Sequence, residues 1–326
     1  MPLDPVAYQP YNDPDDFIRE VTDLIWVNRS IKYIRENYEP DSIVHGAYGT
    51  STTRDEVIEG TLMRISATPD RSGQAEDVIW EARGNDAFLS SHLVLSGDLH
   101  DRGVSRTIAN CLYRRGRMVE EWVVRDTLAG ALRRGDDLDE LARQQAFRGY
   151  QGSWTEAAPA DPIAVGDSGP RPDDHRAEVE HVLDMIQNVW NERDLQKVES
   201  YFNRDLVLLT VGDRTVIRPE GYRRALLRFL ESFPGGQFEV RDIQTNYDVR
   251  YAGLRVAVTW KFTGEYTGRA NYGPLTGKPV DVLGISQFTF HKGALVKEVR
   301  LWDDIALRAQ IAGMRGDEPV GPSNIY

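Results

Sequence analysis

Cysteine is almost absent. Cys111 is the sole one in 326 residues, which excludes an intrachain disulfide and any cysteine-based zinc site. Long apolar runs are missing too: none approaches the roughly 20 residues that a membrane-spanning helix needs. Basic residues are in deficit, with Lys+Arg 39 against Asp+Glu 51 and a net charge of -12. At a pI near 5.1, a nucleic-acid or anionic-membrane surface is not expected, because both require clustered Lys and Arg. The six histidines form no cluster with Asp or Glu at metal-ligand spacing, so no metal is assigned. The first residues, MPLDPVAYQPYND, lack the basic and apolar regions of a secretory leader. The expectation is a soluble, cytoplasmic protein.

What is present is ample core material, 40% apolar and 10% aromatic residues, enough for two domains at this length. Residues 151–174 are rich in Pro and Gly and carry no apolar period, which predicts a linker. The two flanking segments repeat each other. Trp26-x-x-Arg29 matches Trp190-x-x-Arg193 at an offset of 164, and Tyr38, Asp41, Arg54 and Glu56 find partners at the same offset. Ser96-Gly97-Asp98 matches Thr263-Gly264-Glu265 at 167, which aligns His92 with Thr259. Arg115-Gly116 through Asp126 matches Lys292-Gly293 through Asp303 at 177. Ordered matches at a slowly drifting offset identify two copies of one domain, spanning 15–150 and 175–313, with tails at 1–14 and 314–326.

Each copy opens with helices. Asp13-Pro14-Asp15-Asp16 supplies an N-cap, a first-turn proline and acids at the positive helix end. Phe17, Val21, Leu24 and Ile31 follow at helical spacing. Short second helices are predicted after Ser30 and Asp194, and third helices after Arg54 and Pro219. The period then changes to two. Val256, Val258, Trp260 and Phe262 define one strand face, and Leu89, Ser91, Leu93 and Leu95 the matching one. Helices followed by an antiparallel meander give an α+β fold.

The second copy reads Thr263-Gly264-Glu265-Tyr266-Thr267-Gly268, then Gly273-Pro274-Leu275-Thr276-Gly277-Lys278-Pro279, and ends in His291-Lys292-Gly293-Ala294-Leu295-Val296-Lys297-Glu298 and Trp302-Asp303. In these motifs the chain resembles the SnoaL-like polyketide cyclase branch of the nuclear transport factor 2-like superfamily. The first copy keeps the ending but lacks the Thr-Gly-Lys-Pro hairpin. The resemblance implies two tandem cone-shaped α+β barrels, each a curved, mostly antiparallel sheet with three helices around an apolar pocket. It also implies cofactor-free chemistry, with an Asp at the end of the last strand as general acid/base: Asp303, and its equivalent Asp126.

Alternation along the last strand groups Leu295, Val299, Leu301 and Asp303 on one face, and Met118, Trp122, Val124 and Asp126 on the other copy's equivalent. An acid ending an apolar face is either a desolvated acid/base or the cap of the next turn. Gln287 and Asn110, aligned amides in apolar strands, are candidate pocket residues or backbone-satisfied structural groups. His92 is a candidate second titratable group. Trp260, Trp122 and Tyr222 are candidate ligand-lining aromatics or core. His45 reads as a loop residue, and residues 136–145 as a short helix over the first copy or leading to the linker. The expected partner is a hydrophobic small molecule, acted on by a cyclase- or isomerase-type acid/base enzyme, or bound by a non-catalytic ligand or assembly module with degenerate pockets. The copies pair either as an intramolecular pseudo-dimer or with a second chain in a homo-oligomer.

Overall fold

A computed structural model describes residues 3–70, 72–97, 103–148, 175–248 and 253–313. The expected linker and C-terminal tail lie outside the described residues. The chain forms two α+β units. In the first, helices α1 (Pro14–Thr22), α2 (Ile31–Asn37) and α3 (Arg54–Ala67) accompany strands β1 (Tyr38–Gly46), β2 (Gly49–Ser51), β3 (Ser72–Ala82), β4 (Ala87–Gly97), β5 (Val104–Arg114) and β6 (Arg117–Arg125). Helices α4 (Thr127–Arg134) and α5 (Leu138–Arg148) follow. The second unit has α6 (Arg176–Met185), α7 (Val198–Tyr201), β7 (Phe202–Thr210), β8 (Arg214–Ile217) and α8 (Arg218–Leu230). It ends with β9 (Gln237–Asp248), β10 (Gly253–Glu265), β11 (Pro279–His291), β12 (Ala294–Trp302) and α9 (Asp304–Ala312).

The sheet orders, β2-β1-β6-β5-β4-β3 and β8-β7-β12-β11-β10-β9, are the same order twice. Each sheet is an antiparallel meander with one parallel pair, β1 with β6 and β7 with β12. The repeated local signals act as read. Asp13 accepts a hydrogen bond from the Asp16 amide at 2.8 Å and starts α1. Arg115-Gly116 and Lys292-Gly293 all have positive φ, the conformation that a two-residue hairpin loop demands. Both first helices run on into a π-helical turn, at Asp23–Val27 and Ile186–Asn191. The segment before α1 is docked rather than trailing: Ala7 is fully buried and its carbonyl accepts from the Gly116 amide.

The helices cover one face of each sheet, and the other faces meet each other. Leu89, Leu93, Ile108, Leu112, Trp122 and Val124 of the first unit join one hydrophobic cluster with the second unit's core. Arg83 bonds Asp242 at 3.0 Å, Glu81 accepts from the Thr245 amide at 2.9 Å, and Arg255 pairs with Asp77. Helix α5 packs on α9 of the second unit, so it ties the units together and does not cover the first. No helix among the described residues is long and apolar enough to cross a membrane.

Candidate functional site

The inward face of the first sheet is the opposite of the expected one. A cavity of about 80 Å³ is lined by Ile18, Ile34, Val57 and Thr61 from the three helices, and by His92, Val94, Thr107, Ala109, Cys111, Glu121, Val123 and Arg125 from β4 to β6. Leu89, Leu93, Trp122 and Val124 point to the second unit instead. Sequence could not choose between these faces because both are covered. Strand β4 is buried at nearly every position, and a strand buried on both sides loses its alternation.

The register corrects one alignment. Ser91 lies opposite Asn110, and Ala257 lies opposite Gln287. Since Asn110 and Gln287 are equivalent, the offset in this strand is 166, one less than the sequence match suggested. His92 corresponds to Val258, and a one-residue slip moves every side chain to the other face.

The acids at the strand ends cap helices and bridge the two units. Asp126 accepts from the Ala129 amide at 3.2 Å, capping α4, and from the Gly212 and Asp213 amides of the second unit at 2.7 and 2.8 Å. Asp303 accepts from the Ala306 amide at 3.0 Å, capping α9. It also accepts from the hydroxyls of Tyr48 (3.2 Å) and Thr127 (2.7 Å) of the first unit. Each aspartate therefore caps its own helix and fastens the partner unit. Burial pushes Asp303 up to about 6, held back by the Ala306 amide and the two hydroxyls. Burial also raises Asp126, against the same kind of amide stabilisation.

Asn110 and Gln287 are joined to the other unit as well. Asn110 donates to Thr259 Oγ1 at 2.6 Å, and Gln287 donates to the carbonyl and hydroxyl of Ser91 at 3.2 and 3.0 Å. Trp122 stacks on His45, whose Nε2 lies 2.7 Å from Glu120. His45 is thus a buried strand residue rather than a loop one. Trp260 and Tyr222 fill the second unit's interior, with Trp190 Nε1 donating to the Tyr222 hydroxyl at 2.8 Å. Of the candidate residues, His92 lines the first unit's cavity.

Among the titratable groups that line the cavity are His92 and Glu121. His92 is buried and its Nδ1 has no hydrogen-bond partner. Burial, with Arg19 nearby, pushes it down to about 4, so it is neutral at pH 7. Burial raises the Glu121 carboxyl, against the pull of Arg125 and Arg64. His92 sits opposite Ala109, and Glu121 opposite Cys111. The two groups therefore flank β5, two strand spacings and one two-residue step apart, roughly 11 Å between backbones. Both side chains line the same cavity. Sequence reasoning passed over Glu121, although it had matched Glu121 to Glu298, because it assigned the strand's other face inward.

The second interior carries bulkier side chains at equivalent positions. Where the first unit has the cross-strand trio Val94, Thr107 and Arg125, the second has Trp260, Gly284 and Trp302. A Cβ on Gly284 would meet the Trp260 ring at 2.0 Å, so glycine is what lets that ring lie across the sheet. Trp190, Phe238 and Trp302 pack around it. Glu298, the equivalent of Glu121, is fully buried, accepts from Ser286 at 3.1 Å and lies 3.6 Å from Arg300. Arg300 stacks over the Trp190 and Tyr222 rings. Among the described residues no group of three or more His, Cys, Asp or Glu could hold a metal.

Comparisons with known proteins point to one family. Residues 180–311 match the family model of the SnoaL-like polyketide cyclases. No curated protein matches the chain. Among solved structures, a protein from Jannaschia sp. CCS1 assigned as a SnoaL-like polyketide cyclase is 19% identical, with 45% of this chain aligned to 99% of that one at a TM-score of 0.39. AclR from Streptomyces galilaeus, assigned as a hydroxylase, is 21% identical over 43% of this chain and 88% of that one, with a TM-score of 0.37. TsrD from Streptomyces laurentii is 18% identical over 42% and 96%, with a TM-score of 0.36. Most of the second unit, residues 180–311, is thus similar to the SnoaL-like polyketide cyclases, and the first unit repeats its strand order ahead of it in the same chain.

Proposed function

We propose that the first unit is a small-molecule site for cofactor-free acid/base chemistry on a carbonyl compound, and that the second is its degenerate, structural counterpart. The observation that carries this reading is the convergence of Glu121 and His92 on one cavity, with His92 Nδ1 lacking a partner. A carboxylate whose affinity for protons is raised by burial is a better base near neutral pH. It would take a proton from the carbon next to a carbonyl. Neutral His92 would donate a hydrogen bond to the oxygen as negative charge develops there, in a site poor in competing water. A cavity of about 80 Å³ has room for several waters' worth of ligand, which favours a short carbonyl fragment over a polycyclic substrate. Asp303 and Asp126 act in this scheme by holding the units together.

The test is exchange of the protons next to the carbonyl of small ketones in deuterated water, followed by proton NMR. Glu121→Gln is expected to slow protein-catalysed exchange by about a hundredfold or more, and His92→Asn by less. Wild-type exchange no faster than buffer assigns the cavity to binding alone. Exchange unchanged in Glu121→Gln removes Glu121 from the mechanism.

A further inference from the structure

The cavity does not end at a neutral wall. Arg64, Ser96, Thr107 and Arg125 line it and also line a second, outer cavity of about 480 Å³. The two spaces share this neck. The outer cavity is also lined by Arg106, Arg133 and Arg134. Its acid, Asp126, has its oxygens turned to three backbone amides. Five arginines thus line the outer cavity in a chain that carries a net charge of -12. Arg106 pairs with Asp213 and Arg134 with Asp136, Arg133 lies 4.0 Å from Asp213, and Arg64 and Arg125 act on Glu121. Arg64 and Arg125 stand at the neck itself, between the outer cavity and Glu121.

We infer that the substrate is a short oxo acid. Its carboxylate would be held at the neck by Arg64 and Arg125 while its carbonyl reaches the gap between His92 and Glu121. This deepens the acid/base reading and rests on it. Three features of the molecule converge here. Arg125 and Glu121 share a face of β6, two alternation steps apart with Val123 between them, and Arg125 and Arg64 both act electrostatically on Glu121. Guanidinium groups are shaped for bidentate carboxylate binding. The inner cavity is too small for a long neutral ligand, so affinity must come from charge at the mouth rather than from buried apolar area. Fixed cations beside the reacting carbonyl would also favour the enolate that forms there.

The experiment is isothermal titration calorimetry of the full chain with 4-oxopentanoate and with pentan-2-one, which share a methyl ketone and differ by the carboxylate. The oxo acid is expected to bind at least tenfold more tightly. That advantage should shrink with added salt and vanish in Arg64→Gln/Arg125→Gln. Should that variant not fold, the salt dependence on wild-type protein decides by itself. Equal binding of the two compounds, or an oxo-acid affinity indifferent to salt, overturns the inference and leaves the cavity as a site for neutral carbonyls. Binding of neither overturns both.

Discussion

Glu121 and Glu298 occupy the same position in the two units, yet Glu121 faces a cavity while Glu298 is sealed beneath Ser286, Arg300 and the aromatic packing around Tyr222. One repeat has kept an interior open, and the other has filled it. The filled interior gives the chain its larger core, and its outer face provides the wall against which the first unit's sheet is packed.

The filling is transferable. Val94→Trp with Thr107→Gly would recreate the Trp260 and Gly284 pairing in the first unit. It is expected to abolish ligand binding by calorimetry while changing stability by no more than about 1–3 kcal/mol, the usual range for core repacking. Binding retained by a folded double variant would place the ligand elsewhere.

The buried pair Glu298 and Arg300 should behave as a unit. Arg300→Met leaves a carboxyl without its guanidinium, and a cost of about 3–5 kcal/mol is expected in denaturant unfolding. Adding Glu298→Gln should recover part of that loss. Strict additivity of the two substitutions would mean that the groups are not coupled.

Asp303 and His92 shift stability in opposite directions over nearly the same pH range. The Asp303 carboxyl is raised from 3.8 to about 6 in the fold. Its burial therefore penalises the folded state as pH rises from about 4 to 6, by about 3 kcal/mol in all. His92 is lowered from 6.5 to about 4. It leaves stability intact above about pH 6.5 and removes about 3 kcal/mol as pH falls towards 4. Relative to wild type, Asp303→Asn should gain stability as pH rises through this window, and His92→Gln should gain as pH falls. Urea midpoints between pH 4 and 7 check both. A pH-independent difference for either variant refutes the corresponding shift.

Asn110 and Gln287 separate interface from pocket. Asn110→Ala and Gln287→Ala each break bonds between the units and should cost about 1–2 kcal/mol, with ligand affinity unaltered. A fall in affinity without loss of stability would restore these amides to the site.

Much of the fold was legible in the sequence because its signals are local. The cap at Asp13, the Arg115-Gly116 and Lys292-Gly293 turns, the helical spacing of Phe17 and Val21, and the drifting repeat each depend on neighbours in the chain. Facing is different. Whether Trp122 or Glu121 looks inward depends on what lies against each side of β6, and apolar residues cover both sides. The repeat match alone could not decide it either, since an error of one residue inverts a strand. The sequence by itself therefore determined two α+β units, their caps and their turns. Only the tertiary structure decided that the strand-end aspartates bind the units together, that aromatic side chains crowd the second interior, and that Glu121 and His92 share a cavity. Those outcomes are set by contacts between residues far apart in the chain.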